Sequence, residues 1–330
     1  MKGVCLLCGE EAELSEEHII PQCLGGILKT KIYCDFCNRK LGHEVDVTLA
    51  ANFGRYATLL NVKRERGENQ PYNIFDENTG IDLQFNGERL IRVKPVVRLN
   101  KDRTGKLEGV EIIARSKEER DKIFRGIAKK YNIDLSLVAF DEPEYGPPSS
   151  SYNFCIENES ICKAIAKITF GFACWKLPSE LMLSDSFSRM RKYLLGENED
   201  KLVSANYIDT RFMSDNIRPL HKIHLGFNRS ENIIIGFVAI FGVFKYTVLI
   251  SDNYSSDIEW PAIDYTFNPV TRKEVPARLT FSAPKLSRDE VVNPKHSEAM
   301  VAAALKNGLN MIASNTNVLK SGVKVERIKA

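Results

Sequence analysis

The clearest hydrophobic pattern lies in the second half of the chain. Ile233-Ile234-Ile235-Gly236-Phe237-Val238-Ala239-Ile240-Phe241 is almost continuously apolar. Such a run suits a strand covered on both faces. With Leu220 to Phe227 before it and Val243 to Ser251 after it, Asn232 to Phe241 predicts the centre of a three-stranded antiparallel sheet. Upstream, Ile161, Ile165 and Ile168 recur at helical spacing and predict an amphipathic helix from Ile156 to Trp175. A second helix is expected from Pro178 to about Leu195, and an Ala-rich one from Pro294 to Ile312. His221 and His224 are three apart, so a strand puts them on opposite faces, as poor metal partners for each other.

The first half alternates in shorter segments. Ile19 and Ile20, ahead of Pro21, predict a short strand that carries His18, with the acidic run up to Ser15 as a loop before it. Ile27 to Tyr33 predicts a second strand. Leu41 and Val45 share a helical face after Cys37, and 47–62 continues as an apolar-rich helix. A polar boundary, Lys63 to Gln70, follows. Asn86-Gly87 between apolar runs marks a hairpin. Asp102 to Lys106 is a turn before a strand through Ile112 and Ile113. Ser116 and Glu119 have the spacing of a capping box for a helix to about Lys130, and Leu135 to Phe140 predicts a strand. Asp141 to Ser151 is linker-like, rich in Pro, Gly and Ser. The chain therefore reads as α+β in three segments: a small strand-and-helix module over 1–62, a basic α+β unit over 63–150, and an α+β domain with an antiparallel sheet over 151–330.

Composition narrows the class. The chain has 330 residues, 43% hydrophobic and 27% charged, enough to bury a substantial core. No apolar run approaches the ~18 residues of a membrane span. The start, Met1 to Cys5, lacks an apolar signal segment, so a cytoplasmic protein is expected. Net charge is only +3, but Arg89 to Lys130 carries fourteen Lys and Arg against six Asp and Glu. A basic segment of this kind suits a phosphate-facing surface, and it equally suits strands and helices with solvated faces.

Five of the eight cysteines precede residue 38. Cys5 and Cys8 form one Cys-x-x-Cys pair, and Cys34 and Cys37 another. Zinc takes four thiolates at about 2.3 Å, and each x-x turn converges two of them. The four cysteines are therefore the expected ligands of a structural zinc ion rather than disulfide partners. Cys23 is left over as a packed thiol, and Cys155, Cys162 and Cys174 lie in apolar context.

Between the pairs stand Glu17 and His18, and Asn38 follows the last Cys. Each has an ordinary reading: a surface pair, and a helix cap. Together they supply phosphodiester chemistry. An imidazole of ordinary pKa, about 6.5, can take a proton from water. Carboxylate and amide oxygens suit Mg2+ or Mn2+ better than zinc. Adjacent strand residues face opposite ways, so Glu17 and His18 converge only on a distorted or bulged strand end.

Cys-x-x-Cys, Glu17-His18-Ile19-Ile20-Pro21, Leu24-Gly25-Gly26 and Cys-x-x-Cys-Asn38 together resemble the HNH endonucleases, the ββα-metal nucleases, over roughly residues 4–50. The resemblance implies His18 as general base, and Glu17 and Asn38 as ligands of a catalytic divalent cation. His43 and Asp46, just beyond Asn38, are reserve candidates as metal ligands or phosphate contacts, with a solvated helix face as the ordinary alternative. Arg39 and Lys40 are candidates for backbone contacts. The family's middle Asn has no counterpart, since Lys29-Thr30-Lys31 fills its place. The resemblance implies a metal-dependent endonuclease acting on nucleic acid, DNA before RNA, in a setting such as phage defence. Two alternatives stand beside it: a zinc-containing nucleic-acid-binding protein without catalysis, and a nuclease effector activated by a ligand. Residues 151–330 would serve recognition, sensing of a regulatory ligand or partner, or homodimerisation.

Overall fold

The computed structural model describes residues 2–77, 80–87, 90–114, 117–133, 139–141, 155–208, 217–254, 263–276, 284–316 and 327–329. The chain divides into two compact units, Met1–Asn69 with Phe154–Asn315, and Gln70–Asn153 with Thr316–Ala330. Helix and sheet are mixed, and every strand pairing described is antiparallel.

The first unit opens with β1 (Lys2–Val4), β2 (Glu11–His18) and β3 (Lys29–Cys34), paired in that order. The acidic run before His18 is thus strand, not loop. Ala12 and Leu14 turn inward while Glu11 and Glu13 face solvent, so alternation absorbs the charge. The β2–β3 pairing is interrupted by a bulge between Ser15 and Glu17. Helix α1 (Asp35–Leu41) starts on Cys34, whose sulfur accepts from the Cys37 N–H. A widened, π-type turn (Gly42–Asp46) leads into α2 (Val47–Leu59). Leu24-Gly25-Gly26 has a steric origin. Gly25 has φ +86°, and a Cβ on Gly26 would lie 1.7 Å from the Ile20 carbonyl oxygen.

The second unit holds two sheets. One is a meander of β4 (Tyr72–Asp76), β5 (Ile81–Phe85) and β6 (Leu90–Arg92), the expected hairpin with one further strand. The other orders β7 (Val96–Lys101), β8 (Leu107–Ile113), the late strand Arg327–Lys329, and β9 (Ala139–Asp141). Helix α3 (Lys117–Tyr131) packs Phe124 against Val110 and Ile112. Asp102 closes the β7–β8 turn by accepting from the N–H groups of Thr104 and Lys106 at 2.8 and 2.9 Å. Lys94, Arg98, Lys101, Arg103, Lys106, Lys122, Arg125, Lys129 and Lys130 are exposed. Ser116 and most of the linker-like stretch, 142–151, lie outside the described residues, as do 135–138 of the strand expected before them.

The first unit resumes with α4 (Glu159–Lys176), capped by the Asn158 side chain. Periodicity predicts one helix from Pro178 to Leu195, but the backbone breaks at Ser184. This gives α5 (Ser179–Leu183), a 3-10 turn (Asp185–Phe187) and α6 (Ser188–Leu195). Strands β10 (Val203–Ala205), β11 (His221–Asn228), β12 (Ile233–Ile240), β13 (Phe244–Ser251), β14 (Ile263–Asn268) and β15 (Lys273–Glu274) form one sheet in the order β10-β13-β12-β11-β14-β15. Every residue of β12 is buried, as its apolar run predicts. Helices α7 (Arg288–Val292) and α8 (Glu298–Ser314) follow.

Helix α4 is the centre of this unit. On one side it lies so close to the sheet that a Cβ on Gly236 would fall 2.0 Å from Thr169. On another, a Cβ on Gly171 would come within 3.3 Å of Ile19. One hydrophobic cluster runs from Leu6, Ile20, Leu41 and Phe53 through Ile165 and Phe170 to Val238 and Phe244. Sequence patterning separates 1–62 from 151–330; one compact unit joins Met1–Asn69 with Phe154–Asn315, and Thr316–Ala330 goes with the other. A segment as small as 1–62 has an apolar side of its own to cover.

His221 ties the two segments with a directional bond. Fully buried, it donates from Nε2 to the Leu24 carbonyl at 2.9 Å, and its Nδ1 accepts from the Phe241 N–H at 3.2 Å. Acceptance at Nδ1 requires neutral imidazole, and burial lowers its pKa to about 4. The unfolded chain would protonate this group from about pH 6.5 downward while the folded chain does not. Acidification from pH 6.5 to 4 should therefore remove up to about 3 kcal/mol of stability, complete below the folded pKa. Urea denaturation across that range should show this slope in the wild type and lose it in His221→Gln.

Candidate active site

The ligand sulfurs of Cys5, Cys8, Cys34 and Cys37 all lie within 4.8 Å of one another, with three of the four residues buried. Two tight turns produce this. Gly9 N–H returns to the Cys5 carbonyl at 2.8 Å, and the start of α1 brings Cys37 under Cys34. The Cys8 and Cys34 sulfurs are 4.0 Å apart, and none of the cysteines is disulfide-bonded. A tetrahedral ion with about 2.3 Å bonds to sulfur sits in such a cage. The four side chains could hold a metal ion such as zinc, and they leave no open ligand position. Cys23 stands apart, with burial pushing its thiol up to about 12 and its sulfur on the Asp46 carbonyl at 3.9 Å.

His18 ends β2 with its ring turned to the partly open side, its side chain 23% exposed. Its Nε2 lies 3.2 Å from Glu65 Oε2. Lys29, the cross-strand partner of His18, reaches Glu65 at 2.7 Å and Glu16 at 3.0 Å. The hydrogen bonds from Lys29 and then His18 hold the Glu65 carboxyl below its ordinary range. An ionised carboxylate only accepts, so the His18 Nε2 carries a proton, and in the neutral ring the lone pair is on Nδ1.

Glu17 points the other way, into the core. It is 7% exposed, and its Oε1 lies 2.7 Å from Lys167 Nζ on α4. Asp46 Oδ1 approaches the same ammonium at 2.8 Å. Burial pushes the Glu17 carboxyl up, and the Lys167 charge only partly offsets this. Burial also opposes charge on Lys167, but Glu17 and Asp46 outweigh it and keep the proton on. The bulge does not bring Glu17 and His18 to one side.

Asn38 spends its amide nitrogen on β2, donating to Ser15 Oγ and to the Glu16 carbonyl, each at 2.9 Å. It anchors α1 to the strand that carries His18. His43 is exposed on the widened turn. Lys40 donates to the Leu195 carbonyl at 2.9 Å, and Arg39 pairs with Asp35. Of the donors expected for a catalytic cation, Glu17 sits on an ammonium, while the Asn38 bonds to the strand use its nitrogen and not the oxygen a cation would take. Among the described residues, the cysteine group is the one set of Cys, His, Asp and Glu side chains arranged to hold a metal ion.

The cysteine cage, the Glu17-His18 strand end and Asn38 on the following helix lie inside a segment matching a known family model, that of the HNH endonucleases, over residues 5–54. Residues 5–54 form an HNH endonuclease domain. The match leaves the rest of the chain uncovered, and no curated protein and no solved structure matches it.

Three residues around the HNH domain's site have no sequence signal. Glu65 lies 47 positions beyond His18 in a polar stretch, Lys29 fills the place of an expected Asn, and Lys167 sits on an apolar helix face. A lysine between Ala166 and Ile168 in an otherwise apolar run is the one oddity that could have marked it. The cage itself yields a direct expectation. A strong chelator, or Cys37→Ser, should release one equivalent of metal per chain. It should also expose the 5–54 segment to protease while the second unit stays resistant, as metal analysis and limited proteolysis would show.

Proposed function

We propose that this protein is a nuclease that hydrolyses DNA phosphodiester bonds, with His18 as its general base. The observation that carries it is the placement of His18: within the HNH domain, at the outward end of a bulged strand, with a carboxylate on Nε2 and Nδ1 free to take a proton. Nδ1 would remove the proton from an attacking water. Glu65 would orient the ring and stabilise the imidazolium that forms, and Lys29 keeps Glu65 anionic. Glu65 and Lys29 are positioning residues here.

Cys5, Cys8, Cys34 and Cys37 would hold structural zinc, which fixes the β2–β3 ribbon against α1 and supplies no Lewis acid to the reaction. The resemblance implies that Glu17 and Asn38 would hold Mg2+ or Mn2+, with His43 and Asp46 in reserve. In this arrangement Asp46 stands with Glu17 on Lys167. The exposed basic side chains of the second unit support a nucleic-acid partner. The eight free cysteines suit a reducing, cytoplasmic setting. No described helix is long and apolar enough to cross a membrane. The seat of Glu17 on Lys167 favours one second reading, a nuclease effector that is switched on by a signal, of which phage defence is one setting.

The test is cleavage of plasmid and single-stranded DNA by the full chain, with Mg2+ or Mn2+ and without either. His18→Ala should lose roughly 10²–10⁴ in rate. Glu65→Gln should lose less and shift the pH profile, since it keeps the hydrogen bond and removes the charge. Equal cutting by wild type and His18→Ala would take His18 out of the reaction. No cutting by either, on any substrate, would leave a zinc-containing binding module.

A further inference from the structure

The buried ion cluster joins the HNH domain to α4, and nothing in the nuclease chemistry requires it. Lys167 comes from a helix whose other buried residues are apolar apart from Thr169, and its side chain is 2% exposed. It contacts two carboxylates of the HNH domain, Glu17 at 2.7 Å and Asp46 at 2.8 Å. Glu17 is the carboxylate beside the general base. Asp46 closes the widened turn between α1 and α2, and its side chain is one-third exposed. Two carboxylate oxygens converging on one positive centre form the protein half of a cation site. In this arrangement the cation is the protein's own.

We propose that Lys167 is a built-in cation seated between Glu17 and Asp46, so that a divalent ion reaches Glu17 only when α4 withdraws the ammonium. The proposal rests on the nuclease reading of the HNH domain and adds its control. Helix α4 is well placed for that role. It packs against Ile19 through Gly171 and against the sheet through Thr169 over Gly236. Lys163, one turn before Lys167, also faces the HNH domain, at 3.5 Å from Glu44. A shift of the sheet would therefore move the charge that occupies the site. Position along β2 sets the geometry: with Glu17 drawn inward, His18 faces out and away from it. Withdrawal of Lys167 would leave two like carboxylates facing each other, a pair that recruits a cation.

The measurement is Mn2+ binding to the zinc-loaded full chain, read from the electron paramagnetic resonance signal of free Mn2+. In the native background, Glu17→Gln should leave Mn2+ affinity within threefold, because Glu17 is already occupied. Lys167→Met should tighten Mn2+ binding at least tenfold, and adding Glu17→Gln to it should abolish the gain. A tenfold loss from Glu17→Gln alone would overturn the proposal, since Glu17 would then be a ligand with Lys167 in place. A folded Lys167→Met chain without gain would overturn it equally. Should Lys167→Met lose its helical circular dichroism, Lys167→Gln, which keeps a donor toward both carboxylates, carries the same comparison. Cation binding is read apart from cleavage. A chain that shows the gain and never cuts DNA sinks the nuclease reading alone. One that cuts through His18 while Glu17→Gln loosens Mn2+ sinks the lock alone.

Discussion

The ammonium of Lys167 cannot lie at the centre of this unit without partners. An unpaired buried charge costs several kcal/mol even after relaxation, so a lysine on an apolar helix face demands carboxylates within hydrogen-bond reach. Both come from the HNH domain, Glu17 at the end of β2 and Asp46 at the start of α2. Breaking such a cluster from one side typically costs 3–5 kcal/mol, because the remaining charges are left buried and alone. The cluster therefore fixes where α4 lies against the ribbon. It couples residues 1–69 to 154–315 more specifically than apolar packing does.

That constraint propagates through the period of a strand. Glu17 and His18 are neighbours, so anchoring one inward turns the other outward. The outward side is where Glu65 and Lys29 complete a charged network around the imidazole. The bulge between Ser15 and Glu17 changes the register with β3 but leaves this opposition intact. Asn38 reinforces the same strand end by donating to Ser15 and Glu16. The site thus has an acidic, cation-filled interior half and an accessible histidine half, separated by one peptide unit.

The cysteine cage works on a different scale. A segment of some fifty residues cannot bury enough surface to hold three short strands and two helices by itself. Four sulfurs pin the ends of the ribbon to the start of α1. The remaining apolar face is covered by α4 and by the sheet, with Phe53 and Tyr56 stacking on Phe244 at 4.7 and 4.9 Å. His221 adds a bond to the Leu24 carbonyl and accepts one from the Phe241 N–H, and the second can be made only by neutral imidazole. A cysteine cage that could hold a metal ion such as zinc, a shared core and one buried histidine thus act on the domain at three separate places.

The sequence by itself determined the parts whose physics is local. Cys-x-x-Cys spacing converges two sulfurs from a single turn, so the cage was legible from four letters. The apolar run 233–241 was legible as a central strand, because burial on both faces removes polar alternation. Leu24-Gly25-Gly26 was visible as a motif, though only the structure shows the Ile20 carbonyl that excludes a side chain at Gly26. The acidic strand β2 and the break at Ser184 were missed, since charge and periodicity masked what pairing and packing chose. Only the tertiary structure decided what Glu17, His18 and Asn38 touch. Their partners Lys167, Glu65 and Ser15 lie 150, 47 and 23 positions away. No local pattern encodes such distances. The carboxylate beside the histidine reads in sequence as a ligand for an added cation, and in the folded chain it meets a lysine brought from another segment.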